Sequence, residues 1–168
     1  ESHTPDIADV NAMADRITAD YQPSGAKVER IVGTGYGDHL VVRAPWGGET
    51  NSPGILIISH MDTVHPKGTL ETFPFRTEGD LAFGPGIYDM KGGAYCAMRA
   101  VCDLAESGGA PLPVTHLFVA DEEVGSPTSK DLITDLGKAA KYVLVTEPAR
   151  EGGKIVVARK GAVRYEVT

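Results

Sequence analysis

Three mainly hydrophobic runs stand out along the chain, and each is followed within two residues by acidic or imidazole side chains. The runs lie within residues 55–62, 113–120 and 141–145. Apolar runs of about four to eight residues, bounded by glycine and proline, are typical of strands buried on both faces. The first two runs therefore predict buried strands and the third predicts a further strand, with polar groups presented where each strand ends.

Between and before these runs, hydrophobic positions recur at intervals that predict helices. One helix runs to about residue 20, with Thr4 as its N-cap and Pro5 at its first position. A second helix ends at Glu106, and a third extends from a cap at Ser126 to about residue 136. Shorter strands are predicted at residues 28–32, 39–44, 73–75, 81–83, 155–158 and 162–168.

This alternation of strands and helices predicts an α/β fold with a mixed, largely parallel sheet and helices on both faces. In such sheets, ligands bind beyond the carboxyl ends of the strands. Three strands and one glycine-rich loop deliver polar groups to that edge. The groups are His60, Asp62, Asp89, Asp121, Glu122, Glu123 and Glu147.

A histidine among several carboxylates is a donor set that suits zinc or manganese. Carboxylates crowded at one edge repel one another unless a cation compensates them, and so many oxygen donors favour two metal ions over one. Each group also has an ordinary explanation. Taken alone, an acidic run such as residues 121–123 is more often a solvated turn, and Asp89 is equally consistent with a loop residue bonded to its own backbone. The convergence of four separate segments is what favours a metal site.

Length and charge narrow the possible functions. The 168 residues predict one domain, and the formal charge of −7 disfavours nucleic acid as a partner. The hydrophobic runs are much shorter than the roughly 20 residues of a membrane span. No signal peptide is recognisable and the first residue is Glu1, so we expect that the natural start has been removed. The compartment, cytoplasmic or periplasmic, stays open.

Four motifs in order resemble those of the co-catalytic dizinc exopeptidase and deacylase family. Its members include glutamate carboxypeptidase, peptidase T, acetylornithine deacetylase and succinyl-diaminopimelate desuccinylase. The motifs are Ser-His-Met-Asp-Thr-Val at 59–64, Gly-Pro-Gly at 84–86 leading to Asp89, Asp-Glu-Glu-Val-Gly-Ser at 121–126 and Thr-Glu-Pro at 146–148. The resemblance extends from about residue 31 onward and is nearest to the glutamate carboxypeptidase branch. It implies a zinc-exopeptidase-like catalytic domain that hydrolyses a peptide or amide bond.

The resemblance also implies the ligands of two zinc ions. His60 and Glu147 would bind one ion, Glu123 would bind the other, and Asp89 would bridge both. Manganese or cobalt accepts the same ligands, so the identity of the metal stays open.

Two further residues take catalytic roles by the same resemblance. Asp62 would orient His60, an arrangement that commonly supports metal-binding histidines. Glu122 would be the general base, which takes a proton from the attacking water and returns it to the leaving amine. The family also has a cis peptide bond after the bridging aspartate, which corresponds here to Asp89–Met90.

Family members are considerably longer than this chain. The resemblance therefore implies that residues 1–168 are the N-terminal part of a catalytic domain, without the inserted lid and dimerisation domain, the C-terminal part and a distal histidine ligand. We expect the full-length form to be a homodimer through that inserted domain, acting on a small peptide or N-acyl amino acid, with neither nucleic acid nor membrane as partner. Two alternatives remain open: an N-acyl amino acid deacylase, and an inactive metal-binding fragment.

Overall fold

The structure is a computed structural model that describes residues 1–47 and 53–159. Its helices are α1 (Ile7–Tyr21), α2 (Thr69–Thr72), α3 (Gly92–Glu106) and α4 (Lys130–Ala139). Its strands are β1 (Lys27–Ile31), β2 (His39–Arg43), β3 (Ile55–His60), β4 (Arg76–Glu78), β5 (Leu81–Phe83), β6 (Val114–Val119) and β7 (Tyr142–Val145). No helix within these residues combines the length and apolarity that crossing a membrane requires.

Five strands form the main sheet, in the order β1-β2-β6-β3-β7. β1 and β2 pair antiparallel, as do β2 and β6, whereas β3 lies parallel to both of its neighbours, β6 and β7. The predicted mixed α/β sheet is confirmed, with the parallel pairings in the half that contains β3. The carboxyl ends of β3, β6 and β7 therefore meet at one edge.

Helices cover both faces of this sheet, as predicted. Residues of α1 and α3 share one hydrophobic cluster with inward-facing residues of the sheet: Val10, Tyr21, Met98 and Val101 with Leu40, Ile57 and Phe118. Residues of α4 pack on the opposite face: Leu132, Ile133 and Leu136 with Leu56, Leu117 and Val119. Burial on both faces explains why hydrophobic residues predominate in β3 and β6 without a regular alternation with polar ones.

The start of α1 differs from the prediction. Asp6, not Thr4, is the N-cap, and its carboxylate accepts a hydrogen bond from the backbone N–H of Asp9 at 3.1 Å. Thr4 is buried, and its hydroxyl donates to the carboxylate of Asp62 at 2.9 Å. The polar side chain that looked like a helix cap instead ties the N-terminal segment to the end of β3.

The predicted start of α4 at Ser126 is also wrong, because the helix begins at Lys130. Gly125 and Ser126 both have positive φ angles, 90° and 58°, so the backbone turns there through the left-handed region. The buried carboxylate of Asp121 then accepts hydrogen bonds from Thr128 and Ser129, which order the segment before the helix. Asp121 thus serves the fold rather than the polar edge.

Two short strands were predicted wrongly. The turn at Gly79 pairs Glu78 with Leu81, so the partner of β5 is β4 and the predicted strand at 73–75 lies too far from the turn. Residues 155–158 form no strand, since no neighbouring strand within residues 53–159 lies beside them. The prediction for residues 162–168 falls outside the described residues.

Candidate metal centre

His60 is the last residue of β3 and is almost completely buried, with 1% of its surface exposed. Its Nδ1 atom lies 2.9 Å from the backbone carbonyl oxygen of Asp62 and 3.4 Å from the carboxylate of the same residue. A carbonyl oxygen can only accept a hydrogen bond, so Nδ1 carries the hydrogen. The other ring nitrogen, Nε2, is thereby turned toward the sheet edge.

Nε2 of His60 faces three carboxylates. It lies 2.9 Å from Oδ1 of Asp89, 3.6 Å from Oε1 of Glu147 and 4.0 Å from Oε2 of Glu122. In a neutral ring, Nε2 and these oxygens would all be acceptors, so the arrangement calls for a cation among them, either a proton or a metal ion.

The pKa of His60 reflects this demand in the metal-free protein. Burial lowers the pKa, but hydrogen bonds to Asp62 and Asp89, together with charge attraction from Asp62 and Glu122, outweigh burial and raise it to about 9. The proton that the ring holds is therefore the cation that a metal ion would replace.

Asp62 is completely buried, and its carboxylate forms hydrogen bonds in addition to its contact with the His60 imidazole. Its carboxylate accepts hydrogen bonds from the Thr4 hydroxyl at 2.9 Å and from the backbone N–H groups of Glu122 and Glu123 at 3.3 and 3.2 Å. The expected contact with His60 is present, although the nearer acceptor for the ring is the backbone carbonyl of Asp62. Asp62 thus connects the end of β3 to the acidic turn after β6.

Asp89 reaches the site from the glycine-rich loop before α3. The peptide bond between Asp89 and Met90 is cis, as the resemblance implies. Met90 is buried, and its sulfur lies 3.1 Å from the backbone nitrogen of His60, which donates to it. The loop is therefore held against β3 beside the imidazole that Asp89 faces.

The remaining acidic residues follow the other two parallel strands. Glu122 and Glu123 lie on a short helical turn, Glu122–Val124, just after β6. Glu147 comes two residues after β7. The prediction that strand ends bring these groups to one edge is correct, because β6 and β7 flank β3 in parallel.

The carboxylates of Glu123 and Glu147 lie close to other negatively charged groups, and this proximity disfavours their ionised forms. Burial raises the pKa of Glu147, and the charges of Asp89 and Glu122 raise it further against the opposing attraction of His60. The pKa of Glu123 is also raised, first by burial and then by Asp89, Asp62 and Glu122, again against His60. Bound cations would relieve this repulsion.

Among the described residues, two sets of three donor groups come close enough to hold a metal ion. One set is His60, Asp89 and Glu123, and the other is His60, Glu122 and Glu147, with ligand atoms in each set within 4.8 Å of one another. Imidazole nitrogen and carboxylate oxygen suit zinc, manganese and cobalt, so the residues fit the expected metals. All six residues named as catalytic or metal-binding from the sequence lie at this centre, while their division between two ions stays a prediction.

Residues 56–168 match the model of peptidase family M20/M25/M40. The chain belongs to this family. Carboxypeptidase G2 of Pseudomonas sp. (strain RS-16) is 38% identical over 168 aligned residues, which cover 98% of this chain and 40% of that protein. Succinyl-diaminopimelate desuccinylase of Gluconobacter oxydans (strain 621H) is 30% identical over 125 residues, which cover 69% of this chain and 33% of that protein. The chain thus spans well under half the length of these family members.

Solved structures give the same fold at low sequence identity. Aminopeptidase PepT from Bacillus cereus ATCC 10987 superposes with a TM-score of 0.70 at 21% identity, covering 89% of this chain and 40% of that one. Human carnosine dipeptidase 1 superposes with a TM-score of 0.72 at 15% identity, covering 89% and 36%. The predicted fold class is confirmed for this M20 family member.

Sequence reasoning missed two contributions to the site. Ser2 and Thr4 are buried before α1, and the Ser2 hydroxyl donates to the carbonyl oxygen of Met61 at 2.6 Å. His39 is 1% exposed, and its Nδ1 accepts a hydrogen bond from the backbone N–H of Ala120 at 3.2 Å. Nothing in the local sequence signals these contacts, because their partners are more than 50 residues away.

Proposed function

We propose that this chain supplies metal ligands and the general base of a dizinc hydrolase that cleaves a peptide or amide bond in the manner of a carboxypeptidase. The observation that carries the proposal is the approach of Asp89, Glu147 and Glu122 to Nε2 of His60, within 4.0 Å, at one sheet edge. Membership of a peptidase family supports it.

In this proposal His60 and Glu147 would hold one ion, Glu123 would hold the second, and Asp89 would be a ligand of both. Bound divalent ions supply polarisation of the scissile carbonyl and a lowered pKa of water. His60 presents Nε2 as a ligand because the Asp62 carbonyl fixes the hydrogen on Nδ1. Manganese or cobalt would meet the same donors.

Glu122 takes the role of general base. Its side chain reaches to 4.0 Å from His60 Nε2, and 47% of its surface is exposed toward solvent, from which substrate and water arrive. As the water oxygen bonds to the carbonyl carbon, Glu122 accepts the proton of the water. It then delivers that proton to the amide nitrogen as the carbon–nitrogen bond breaks, so the amine leaves neutral. Asp62 fixes the backbone of Glu122 during these transfers.

The metal content of the full natural chain that carries this sequence tests the proposal. The protein is purified, stripped with a chelator and titrated with zinc by calorimetry, and metal is counted by elemental analysis. We expect two zinc ions per chain and hydrolysis of C-terminal residues from small peptides once zinc is restored. A protein that binds no zinc, or is equally active without it, would contradict the proposal.

A second candidate is an N-acyl amino acid deacylase. The observation that favours it is the 30% identity to a succinyl-diaminopimelate desuccinylase across 69% of this chain. Dipeptides, N-acetyl amino acids and N-acyl glutamates assayed side by side on the full natural chain separate the two. A higher kcat/KM for dipeptides supports the carboxypeptidase. A higher kcat/KM for N-acyl amino acids, whose acyl group carries no amine, supports the deacylase.

A further inference from the structure

A series of hydrogen bonds between buried and partly buried side chains leads from α1 to the end of β7, beneath the candidate metal centre. The Tyr21 hydroxyl lies 2.7 Å from Nδ1 of His116, and Nε2 of His116 lies 2.7 Å from the Ser59 hydroxyl. That hydroxyl lies 2.7 Å from the hydroxyl of Thr146. Tyr21, Ser59 and His116 are each no more than 1% exposed. None of these four residues has a role in the proposed reaction.

The donors and acceptors of these hydrogen bonds are consistent with one direction of donation, from Tyr21 toward Thr146. Among the described residues the Tyr21 hydroxyl has only His116 as its hydrogen-bond partner, so it donates to Nδ1. A neutral His116 then carries its hydrogen on Nε2 and donates to Ser59, which donates to Thr146. Burial lowers the pKa of His116 to about 3, which keeps the ring neutral. Every hydrogen in this order has an acceptor.

The series of hydrogen bonds ends on the backbone of β3. The Thr146 hydroxyl lies 3.5 Å from the carbonyl oxygen of Ile58, and the backbone N–H of Thr146 donates to the same oxygen at 3.1 Å. From the other side, α3 packs closely against Thr146, because a Cβ atom at Gly93 would lie 2.0 Å from the Thr146 carbonyl oxygen. Thr146 is therefore held from two directions.

The next residue is Glu147, whose carboxylate lies 3.6 Å from Nε2 of His60. His60 in turn follows Ser59. Each end of the Ser59–Thr146 hydrogen bond is thus one residue away from a group that faces the candidate metal centre, and the bond joins two neighbouring strands at that level.

We propose that Thr146 is a positioning residue for the metal centre: its hydroxyl, held by Ser59 and His116, sets the separation between Glu147 and His60. This inference rests on the proposed function, since it concerns the ion that Glu147 and His60 would share. Loss of the hydroxyl would let the end of β7 shift against β3 and would separate the two ligands.

The test compares Thr146→Val, which keeps the shape but removes the hydroxyl, with Thr146→Ser, which keeps the hydroxyl. Zinc is titrated into each metal-free, full natural chain by calorimetry, and the visible spectrum of the cobalt-loaded protein reports coordination. We expect Thr146→Val to weaken one of the two zinc-binding steps by about tenfold to hundredfold and to change the cobalt spectrum, as loss of groups that support metal ligands does. Thr146→Ser is expected to behave like the parent.

A destabilised control separates positioning from general loosening of the fold. Leu132→Ala truncates a side chain on the opposite face of the sheet, in α4, and is expected to lower stability while leaving both zinc-binding steps intact. If Thr146→Val does not fold, Ser59→Ala breaks the same hydrogen bond from β3 and carries the same expectation. Parent-like zinc affinity in the folded hydroxyl-deletion variant, or equal weakening in Leu132→Ala, would overturn the inference. A parent protein that binds no zinc would instead overturn the proposed function.

Discussion

The carboxylate of Asp62 accepts a hydrogen bond from the backbone N–H of Glu123 at 3.2 Å. The bond joins a residue just beyond β3 to the acidic turn that follows β6, and the neighbouring N–H of Glu122 donates to the same carboxylate at 3.3 Å. Asp62 therefore fixes the turn that carries two proposed active-site residues, and its influence extends beyond His60.

Replacing Asp62 by Asn tests this connection. The amide would present N–H hydrogens or a weaker acceptor to three donors in a fully buried place, so we expect unfolding to become easier by about 1–3 kcal/mol. Zinc affinity should fall by about tenfold to hundredfold. Urea unfolding and zinc titration measure both effects. Asp80→Asn, in the exposed hairpin turn, is the control and should change neither.

Glu122→Gln should abolish most activity without loss of metal. The amide has nearly the shape of the acid but cannot accept the proton of the attacking water, and general bases contribute about a hundredfold or more to rate. We expect kcat to fall by at least about that factor with zinc content unchanged. Glu106→Gln, at the exposed end of α3, removes the same charge as a control. Loss of zinc from Glu122→Gln would instead identify Glu122 as a ligand and exchange its role with that of Glu123.

Gly93→Ala should destabilise the fold through one contact. The added methyl group would lie 2.0 Å from the Thr146 carbonyl oxygen, so α3 or the end of β7 must move. We expect a loss of about 1–3 kcal/mol in the free energy of unfolding, typical of overpacking. The matched control is Gly137→Ala in α4, where, apart from the adjoining turns of its own helix, no described atom lies within 4 Å of the added methyl group, and alanine favours the helix. Equal stabilities of the two variants would contradict the contact.

The buried His116 predicts a pH dependence of stability. Its pKa in the folded protein is lowered from 6.5 to about 3 by burial. Below pH 6.5 the unfolded chain takes up a proton that the folded protein refuses until about pH 3, so stability is lost as the pH falls through this window. The slope from this group approaches roughly 1 kcal/mol per pH unit.

His116→Gln removes the titrating group and should flatten this part of the curve. Urea unfolding of the metal-free parent and variant at pH 7 and pH 5 measures the difference. Because the acidic residues titrate in both proteins, their contributions cancel in the comparison. Parallel curves for parent and variant would show that His116 does not control the acid sensitivity.

The strands of the site were predictable because each is a mainly hydrophobic run followed by charged residues, although β7 lies at the edge of the sheet and its residues are exposed. That rule located β3, β6 and β7, and with them His60, Glu122, Glu123 and Glu147. Asp89 needed the resemblance as well, since a loop aspartate has no periodic pattern to mark it.

The errors have two physical causes, which are partners far away in the sequence and local backbone geometry. Thr4 has the chemistry of a helix cap, yet its hydroxyl meets Asp62, and Ser126 precedes a proline but adopts a left-handed backbone. The Tyr21–His116 bond joins residues 95 positions apart. Local sequence gives the propensity of each residue, whereas these contacts depend on which strands become neighbours.

The register of β3 and β7 limits how this part of the chain can change length. Ile58 pairs with Val145, so His60 and Glu147 each follow their paired residue by two positions in parallel strands. Inserting or deleting one residue in either strand would shift its end by about 3.3 Å and turn its side chains to the other face. The exposed hairpin of β4 and β5, by contrast, adds no residue to either buried core cluster. Within the described residues, natural length variation should therefore occur in such connections and not in the strands that carry the proposed metal ligands.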